Sequence, residues 1–442
     1  MKRIFFLLTL CSLTGLQAQE TLSLSMAQAL EIGVSQRADL QKQALNITLS
    51  QNEVDKTRTR LLPQANFAGD LRVNTQLQNN VLPGEIFSQP GGPVQEDQLV
   101  KFGTRFNYNF GLSATQQIYN PAYRFDQSLN QLNIETEQLK LEQQTRDAQL
   151  SIAQAYYSVM LNEKSVLLSR AGVSRAQSYY ASALEKFKGK NLLQTELDRF
   201  ALDVDNAKLA LHRDSLSLEL SRKNLRYQMA LPEDQVFTLT DSLENVLDLD
   251  LSQYAREEAS IRTEIKREQL QIAVSEVNYQ KQSALYRPTV SLYGNYSIQH
   301  LSNDVNPFTD NTWFPYNYLG LQVTLPVFDG LLKERTKDEM RIRQEISRRQ
   351  IEQLEQDYSY EASSSLSAMQ TAMASLAYAR KNYRQAADLI KVNELRYQQG
   401  SLLASEVVNA EYSLQVAQNN LLRSSYDYLL ARLNWMKATG KL

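Results

Sequence analysis

Two stretches of this sequence, each about 70 residues long, contain almost no residue that breaks a helix. The first runs from Pro121 to Gly189 with only Gly172 inside it, and the second runs from Gly330 to Gly400 with no glycine or proline inside it. At a rise of 1.5 Å per residue, each stretch is long enough for a helix of about 100 Å. Helices of ordinary globular proteins have about 8–20 residues. Such a helix cannot be buried in one monomeric globule, so we expect it to pack side by side with copies of itself.

Large residues recur every seven positions in both stretches, which predicts coiled-coil packing. In the first stretch they are Ile152, Val159, Val166, Val173, Tyr180 and Phe187, and in the second Ala362, Met369, Leu376, Tyr383, Ile390 and Tyr397. Each member of the second series follows its counterpart by 210 positions (362 − 152, 397 − 187). So regular an offset indicates a tandem duplication.

Each long helix is predicted to end at a glycine, because a left-handed residue commonly ends a helix and glycine adopts that conformation best. Gly189 and Gly400 are those residues, and an apolar heptad pattern resumes a few positions after each of them. We therefore expect two helical hairpins, with one tip near residue 189 and the other near residue 400.

An alternating apolar and polar pattern precedes each long helix and predicts two-faced β-strands. The alternating segments are 65–77 with 102–114 in the first copy, and 290–298 with 319–327 in the second. They predict β-hairpins at 64–118 and 288–328. Trp313, Phe314 and Tyr316 lie near the second loop, where an interfacial aromatic girdle is expected for a membrane barrel.

The alternation fits both a membrane barrel and a soluble antiparallel sheet with one wet face. Four strands cannot close a barrel, and open sheet edges do not occur in lipid. A membrane barrel would therefore need several chains: a dimer gives eight strands, a trimer twelve and a tetramer sixteen. The residues alone leave that choice open.

Residues 1–18 read as a secretory signal peptide, with Lys2 and Arg3 before an apolar segment and the small residue Ala18 at its end. The single cysteine, Cys11, lies inside this segment, so we expect the mature chain to have none. With two histidines and one cysteine, clustered metal sites and Cys/His nucleophiles are disfavoured. A net charge of −2 gives no basic footprint for nucleic acid. We expect no cofactor and no enzymatic activity.

Several segments, in order along the chain, carry a resemblance to a known family. They are LSLSMAQALEIGVSQRADL at 22–40, LLPQANF at 61–67, YRPTVSLYG at 286–294, LPVFDGLLKERT at 325–336, and the tip segment that begins YQQGSLLASEVVNAEYS at 397. The first copy reads FKGKNLLQTELDRF at the corresponding tip, which looks like the same pattern with one extra residue after the glycine. The chain resembles the TolC-like outer-membrane efflux proteins over essentially its whole mature length.

The resemblance implies a mainly α-helical protein with a β-barrel part. Three chains would form a homotrimer, closing twelve strands into one barrel in the outer membrane and continuing as an α-helical tunnel in the periplasm. The function implied is a passive exit duct of a tripartite efflux or type I secretion system, with a periplasmic adaptor and an inner-membrane transporter as partners. An exported coiled-coil scaffold or adaptor without a pore is the alternative.

The offset of 210 positions divides the chain into two repeats, and the resemblance implies a role for the segment between them. The first is 19–230, the second is 254–442, and residues 231–253 form a linker that would help to build an equatorial segment outside the tunnel.

Candidate functional residues follow the two tips. Glu406 and Asn409 stand six and nine positions after Gly400, where the family often presents an acidic ring at the periplasmic constriction; because Asn409 is not acidic, a full double ring is not expected. Glu196 and Asp198 are the candidates of the first copy. The competing interpretation is a carboxylate stabilised at a helix N-terminus or simply solvated. Leu192, Leu193, Leu402 and Leu403 are apolar residues at the tips that would contact the adaptor or pack between hairpins.

Overall fold

The computed structural model describes residues 22–87, 91–92, 96–248, 262–308 and 313–441. The predicted signal peptide and Cys11 lie outside the described residues. The chain forms two compact units, and each of them combines segments from both halves of the sequence. Unit 1 consists of residues 1–46, 138–267 and 350–442, and unit 2 of residues 47–137 and 268–349.

Eight helices and eight strands make up the described part of the chain. The helices are α1 Met26–Gln36, α2 Ala38–Thr59, α3 Tyr123–Lys188, α4 Gln194–Gln228, α5 Leu243–Leu247, α6 Thr263–Ala284, α7 Leu332–Gln398 and α8 Ala404–Ala438. The strands are β1 Leu22–Leu24, β2 Gln64–Val73, β3 Asn79–Leu82, β4 Gln98–Lys101, β5 Phe106–Tyr119, β6 Phe237–Leu239, β7 Thr289–Ser302 and β8 Trp313–Thr324. Within the described helices, no segment is both long and apolar enough to cross a membrane.

The ends of the helices repeat along the chain. Helices α4 and α8 have 35 residues each and begin 210 positions apart, at Gln194 and Ala404. Helices α2 and α6 have 22 residues each but begin 225 positions apart, at Ala38 and Thr263. The difference of 15 positions (225 − 210) means that the first half carries additional residues between its α2 and its α4. The loop of its β-hairpin, which forms the small strands β3 and β4, accounts for this difference.

Unit 2 contains a four-stranded antiparallel sheet in the order β2-β5-β7-β8. Residues that lie opposite each other on neighbouring strands point to the same face. The predicted apolar positions meet in this way, since Phe67 lies opposite Leu112, which in turn lies opposite Tyr296. On the other face Asn66 lies opposite Ser113, and Ser113 opposite Asn295. The sheet therefore has one apolar face, and its outer strands β2 and β8 each have only one neighbour.

The expected aromatic girdle is only partly correct. Trp313 lies opposite His300 on the apolar face, but Phe314 and Tyr316 lie opposite Gln299 and Ser297. A direct alternation along β8 puts Phe314 and Tyr316 on the polar face. The strand also ends at Thr324, so the last two apolar positions of the predicted hairpin, 325 and 327, follow the strand instead of belonging to it.

Unit 1 is held together by the heptad positions of the long helices and by a parallel strand pair. Ile152 and Val159 of α3 are fully buried, as are Leu225 of α4 and Leu429 of α8. Strand β1 pairs with β6, which lies in the segment predicted to be a linker. The carboxylate of Asp241 accepts hydrogen bonds from the backbone N–H of Met26 at 2.9 Å and from the hydroxyl of Tyr156 at 2.8 Å.

Candidate functional site

The two hairpin tips in unit 1 have the same backbone structure. Helix α3 ends with hydrogen bonds from the N–H of Lys190 to the carbonyl of Phe187 and from the N–H of Asn191 to the carbonyl of Lys186. Helix α7 ends with a bond equivalent to the second of these, from the N–H of Ser401 to the carbonyl of Arg396. Both of these equivalent bonds are 2.9 Å long. This pattern closes a helix around one left-handed residue. That residue is Lys190 in the first tip, with φ of 65°, and Gly400 in the second, with φ of 74°.

The prediction that Gly189 is the left-handed residue is therefore wrong. Gly189 still makes a helical bond, from its N–H to the carbonyl of Glu185 at 3.0 Å, so the chain turns one residue later. Lys190 and Gly400 are 210 positions apart, like the other members of the duplication. The first tip thus has no extra residue relative to the second.

The predicted gate residues lie in the first turns of α4 and α8. Glu196 and Glu406 are the third residues of their helices and correspond to each other in the duplication. The carboxylate of Glu406 is exposed and accepts a hydrogen bond from the backbone N–H of Leu403 at 3.3 Å. This bond satisfies one of the N–H groups that a helix start leaves open, and the helix dipole favours the negative charge there. Glu406 thus stabilises the start of its own helix. Its negative charge still lies at the tip.

The other two candidates of the gate are exposed. Asn409 lies on the surface of α8, and Asp198 accepts a hydrogen bond from the side chain of Gln194 at 2.7 Å.

The four leucines of the tips fall into two classes. Leu192 and Leu402 are half-buried and pack against the apolar cluster between the tips. Leu193 and Leu403, one position later, are 69 % and 64 % exposed. Each of these two is the residue that precedes the first helical turn, so its side chain projects away from the cluster. Leu193 and Leu403 are thus the apolar surface that the tips present.

An aromatic cluster joins the first tip to the second. Phe200 of α4 is buried between Tyr179 of α3 and Tyr397 of α7, with ring centroids 6.5 and 5.8 Å away. The ammonium of Lys186 lies 3.7 Å from the centre of the Tyr397 ring and donates to the backbone carbonyl of Tyr397 at 2.9 Å. Burial raises the pKa of Tyr397, and the nearby charge of Glu196 raises it further. Glu196 therefore lies close to the place where the two hairpins meet.

An ion pair forms a second connection between the hairpins. The guanidinium of Arg175 in α3 binds the carboxylate of Glu411 in α8 through two nitrogens, at 2.7 and 2.9 Å. Burial raises the pKa of the neighbouring carboxyl Asp203, and the charge of Glu411 adds to the effect. Arg175 and Glu411 are not among the residues predicted from the sequence. Their only signal in the sequence is that they adjoin the small buried residues Ala176 and Ala410.

The described residues contain no group of three or more His, Cys, Asp or Glu side chains that could hold a metal ion. The arrangement at the tips consists of helix ends, an aromatic cluster and ion pairs, which can set the width and the charge of an opening between helices.

Comparison with known proteins gives a family match for part of the chain and a fold for almost all of it. Residues 255–441 match the model of the family described as outer membrane efflux protein. No curated protein matches the sequence. The fold is similar to that of CusC, with a TM-score of 0.68 and 14 % identity over 94 % of this chain and 91 % of that one.

Two further channels have the same fold. The CmeC outer membrane channel of Campylobacter jejuni gives a TM-score of 0.67 at 14 % identity, over 94 % of this chain and 85 % of the other. The open state of the MtrE outer membrane channel of Neisseria gonorrhoeae gives 0.65 at 17 % identity, over 94 % and 88 %. The resemblance to the TolC-like outer-membrane efflux proteins is thus confirmed, by the family model in the second half of the chain and by the fold over almost all of it.

Proposed function

We propose that this protein is a passive exit duct in the outer membrane, through which solutes leave the cell. The observation that carries the proposal is the four-stranded sheet, which has one mainly apolar face and an unpaired strand at each edge. An apolar face suits lipid, but unpaired strand edges in lipid leave backbone groups without partners. Copies of the chain can pair β8 of one with β2 of the next, and the ring of strands then closes.

A homotrimer with twelve strands is the assembly that we propose, by analogy with the family. Exposed apolar side chains on α4 support side-by-side packing of copies, since they recur at spacings of seven and four residues along one helix. They are Leu202, Leu209, Leu216, Leu220 and Tyr227. We also propose that residues 19–230 and 254–442 are the two copies of the duplication, joined by residues 231–253.

A periplasmic adaptor and an inner-membrane transporter are the proposed partners, and the transporter supplies the energy. Leu193 and Leu403 are exposed at the tips and fit the apolar face of an adaptor's helical hairpin. Glu406, Asn409, Glu196 and Asp198 are proposed to line the periplasmic mouth, where three copies of Glu406 would favour cations.

Single-channel recording in planar bilayers tests the duct and its mouth together. The native protein is expected to conduct with a preference for cations, and Glu406→Gln is expected to weaken that preference while the protein still assembles. Glu31→Gln, an equal change of charge in α1, serves as the control and is expected to have no effect. If Glu406→Gln leaves the cation selectivity unchanged, Glu406 does not line the mouth. Absence of conductance from the native protein would favour the scaffold without a pore.

A further inference from the structure

All four strands of the sheet in unit 2 connect to helices at the same end of the sheet, which differs from its two unpaired side edges, β2 and β8. Gln64, the first residue of β2, lies opposite Thr115 near the end of β5. Thr289, the first residue of β7, lies opposite Thr324, the last residue of β8. The segments that join the sheet to helices α2, α3, α6 and α7 therefore meet at this end, which we call the helical edge.

The helical edge carries an excess of positive charge. Arg60 and Lys281 share a single carboxylate, Asp126, at 3.1 and 2.6 Å. Arg124 at the start of α3 and Arg287 just before β7 are both exposed. Neither of these two arginines has a carboxylate within salt-bridge distance in the described part of the chain. Of these four cations, only Arg60 and Lys281 thus have a carboxylate partner, and they share it.

Exposed apolar side chains lie in neighbouring connections at the same helical edge. In the connection from β8 to α7, Val327 is 89 % and Phe328 is 80 % exposed, and Leu331 and Leu332 are more than half exposed. Leu62, between α2 and β2, is exposed in the same way. Exposed apolar and exposed charged side chains thus occur together in the segments at the helical edge.

We infer that the helical edge is a binding surface for anionic phospholipids. Arg124 and Arg287 would bind the phosphate of the headgroup, and Phe328 with its apolar neighbours would contact the first carbons of the acyl chains. Guanidinium groups are well suited to phosphate because they donate several hydrogen bonds in one plane. A free phosphate would satisfy the arginines but would leave Val327 and Phe328 in water, so the combination favours a lipid.

The inference rests on the proposed function only in that the sheet must lie in a membrane. Its consequence is that the depth of the protein in the bilayer is fixed at the helical edge. Arginines at a membrane surface gain affinity from the negative lipid charge, and salt weakens this gain.

Lipid binding to the purified protein in detergent tests the inference. Dissociation constants for phosphatidylglycerol and phosphatidylcholine are measured by native mass spectrometry for the native protein and for the double variant Arg124→Gln/Arg287→Gln. Each arginine contributes about fivefold in affinity for an anionic lipid at a membrane surface. We therefore expect the double variant to lose most of the preference for phosphatidylglycerol, roughly 25-fold in its dissociation constant. Arg199→Gln/Arg423→Gln, which removes two exposed arginines of α4 and α8, is expected to bind like the native protein.

A second measurement examines the apolar side chains. Tryptophan fluorescence of Phe328→Trp in vesicles is expected to be quenched by lipids with brominated acyl chains, relative to the native protein. Leu403→Trp at the tip is expected not to be quenched.

Three outcomes would overturn the inference. The first is equal affinity of the native protein for both lipids. The second is displacement of phosphatidylglycerol by millimolar inorganic phosphate. The third is that contact between copies shields the tryptophan of Phe328→Trp, so that brominated lipids do not quench its fluorescence. If the protein conducts but shows no lipid preference, the lipid site is refuted and the proposed duct stands. If the protein binds the lipid but does not conduct, the lipid site stands and the proposed duct is refuted.

Discussion

Lys190 holds a backbone conformation that residues with a Cβ atom seldom adopt. Its counterpart, Gly400, adopts the same conformation without steric cost. We expect Lys190→Gly to stabilise the protein by up to about 1 kcal/mol and Gly400→Ala to destabilise it by a similar amount. Thermal unfolding followed by circular dichroism measures both.

Gly189→Ala is the control for this pair, because Gly189 is not left-handed and an added Cβ would meet only ordinary contacts. Its effect is expected to be small. A large loss of stability in Gly189→Ala, with none in Gly400→Ala, would contradict the assignment of the left-handed residues.

Asp203 is predicted to make stability depend on pH. Burial raises its pKa in the folded protein above the value of 3.8 expected for an unfolded chain, so the folded state holds the proton more tightly. The stability that comes from the protonated form is complete below the unfolded pKa and is lost as the pH rises through the folded pKa. We expect Asp203→Asn to raise the melting temperature at about pH 7 and to change it little near pH 4.

The exposed neighbour Asp205 provides the matched control, since Asp205→Asn is expected to have the same small effect at both pH values. An equal gain for Asp203→Asn at both pH values would indicate that its ionisation has no part in the stability.

Among single residues, the sequence identified the candidates that follow from helix position and missed those that follow from packing. Glu196 and Glu406 could be placed because a fixed offset and a preceding turn define a first helical turn. Lys190 could not, because a lysine is a poor candidate for a left-handed residue when a glycine precedes it. Arg175 and Glu411 belong to different hairpins, and no spacing along one helix predicts that they meet.

At the scale of elements, Arg175 and Glu411 connect α3 to α8. Removal of Arg175 would leave Glu411 largely buried beside the half-buried Asp203, with no cation to offset its charge. We expect Arg175→Gln to destabilise the protein by roughly 2 kcal/mol, less than for a fully buried pair because Arg175 is partly solvated. Hydrogen exchange in the first half of α8 is expected to accelerate.

The double variant Arg175→Gln/Glu411→Gln checks the mechanism, because it removes the unpaired charge along with its partner. It is expected to recover part of the lost stability. A double variant that is less stable than Arg175→Gln would show that the charge on Glu411 is not the cause.

The elements themselves were the most predictable part of the fold. Strict alternation placed the first residues of β2 and β7 to within one residue, because a period of two over ten positions suits only a strand. The predicted last residues, 77 and 298, each differ by four positions from the observed ends at Val73 and Ser302. The sequence did not predict β3 and β4, since their short apolar segments lie among prolines and glycines. It also misplaced Phe314 and Tyr316, because aromatic residues near a loop say nothing about which face they occupy.

At the scale of the whole molecule, the open edges of the sheet predict a closed ring of chains, and the analogy with the family predicts that it has three. A cysteine in β2 (Ala68→Cys) and one in β8 (Gln322→Cys) are expected to let a short thiol-specific cross-linker join neighbouring copies. If the signal peptide is removed, the mature chain has no other cysteine. Electrophoresis under denaturing conditions is expected to show a ladder that ends at three chains.

Each single variant, Ala68→Cys or Gln322→Cys, should give no such ladder, because one strand edge alone cannot link a ring. A ladder that ends at two or four chains would show that the closed assembly is a dimer or a tetramer instead of a trimer.

The unpaired edges have a consequence for the chain before it assembles. Strand β2 has ten residues and β8 has twelve, and each has a full row of backbone groups with no partner. Such an edge accepts any extended segment that reaches it first. Before it assembles, a copy can therefore pair through these edges either with another copy or with an unrelated strand. Slow assembly would increase the amount of protein that is lost to aggregation.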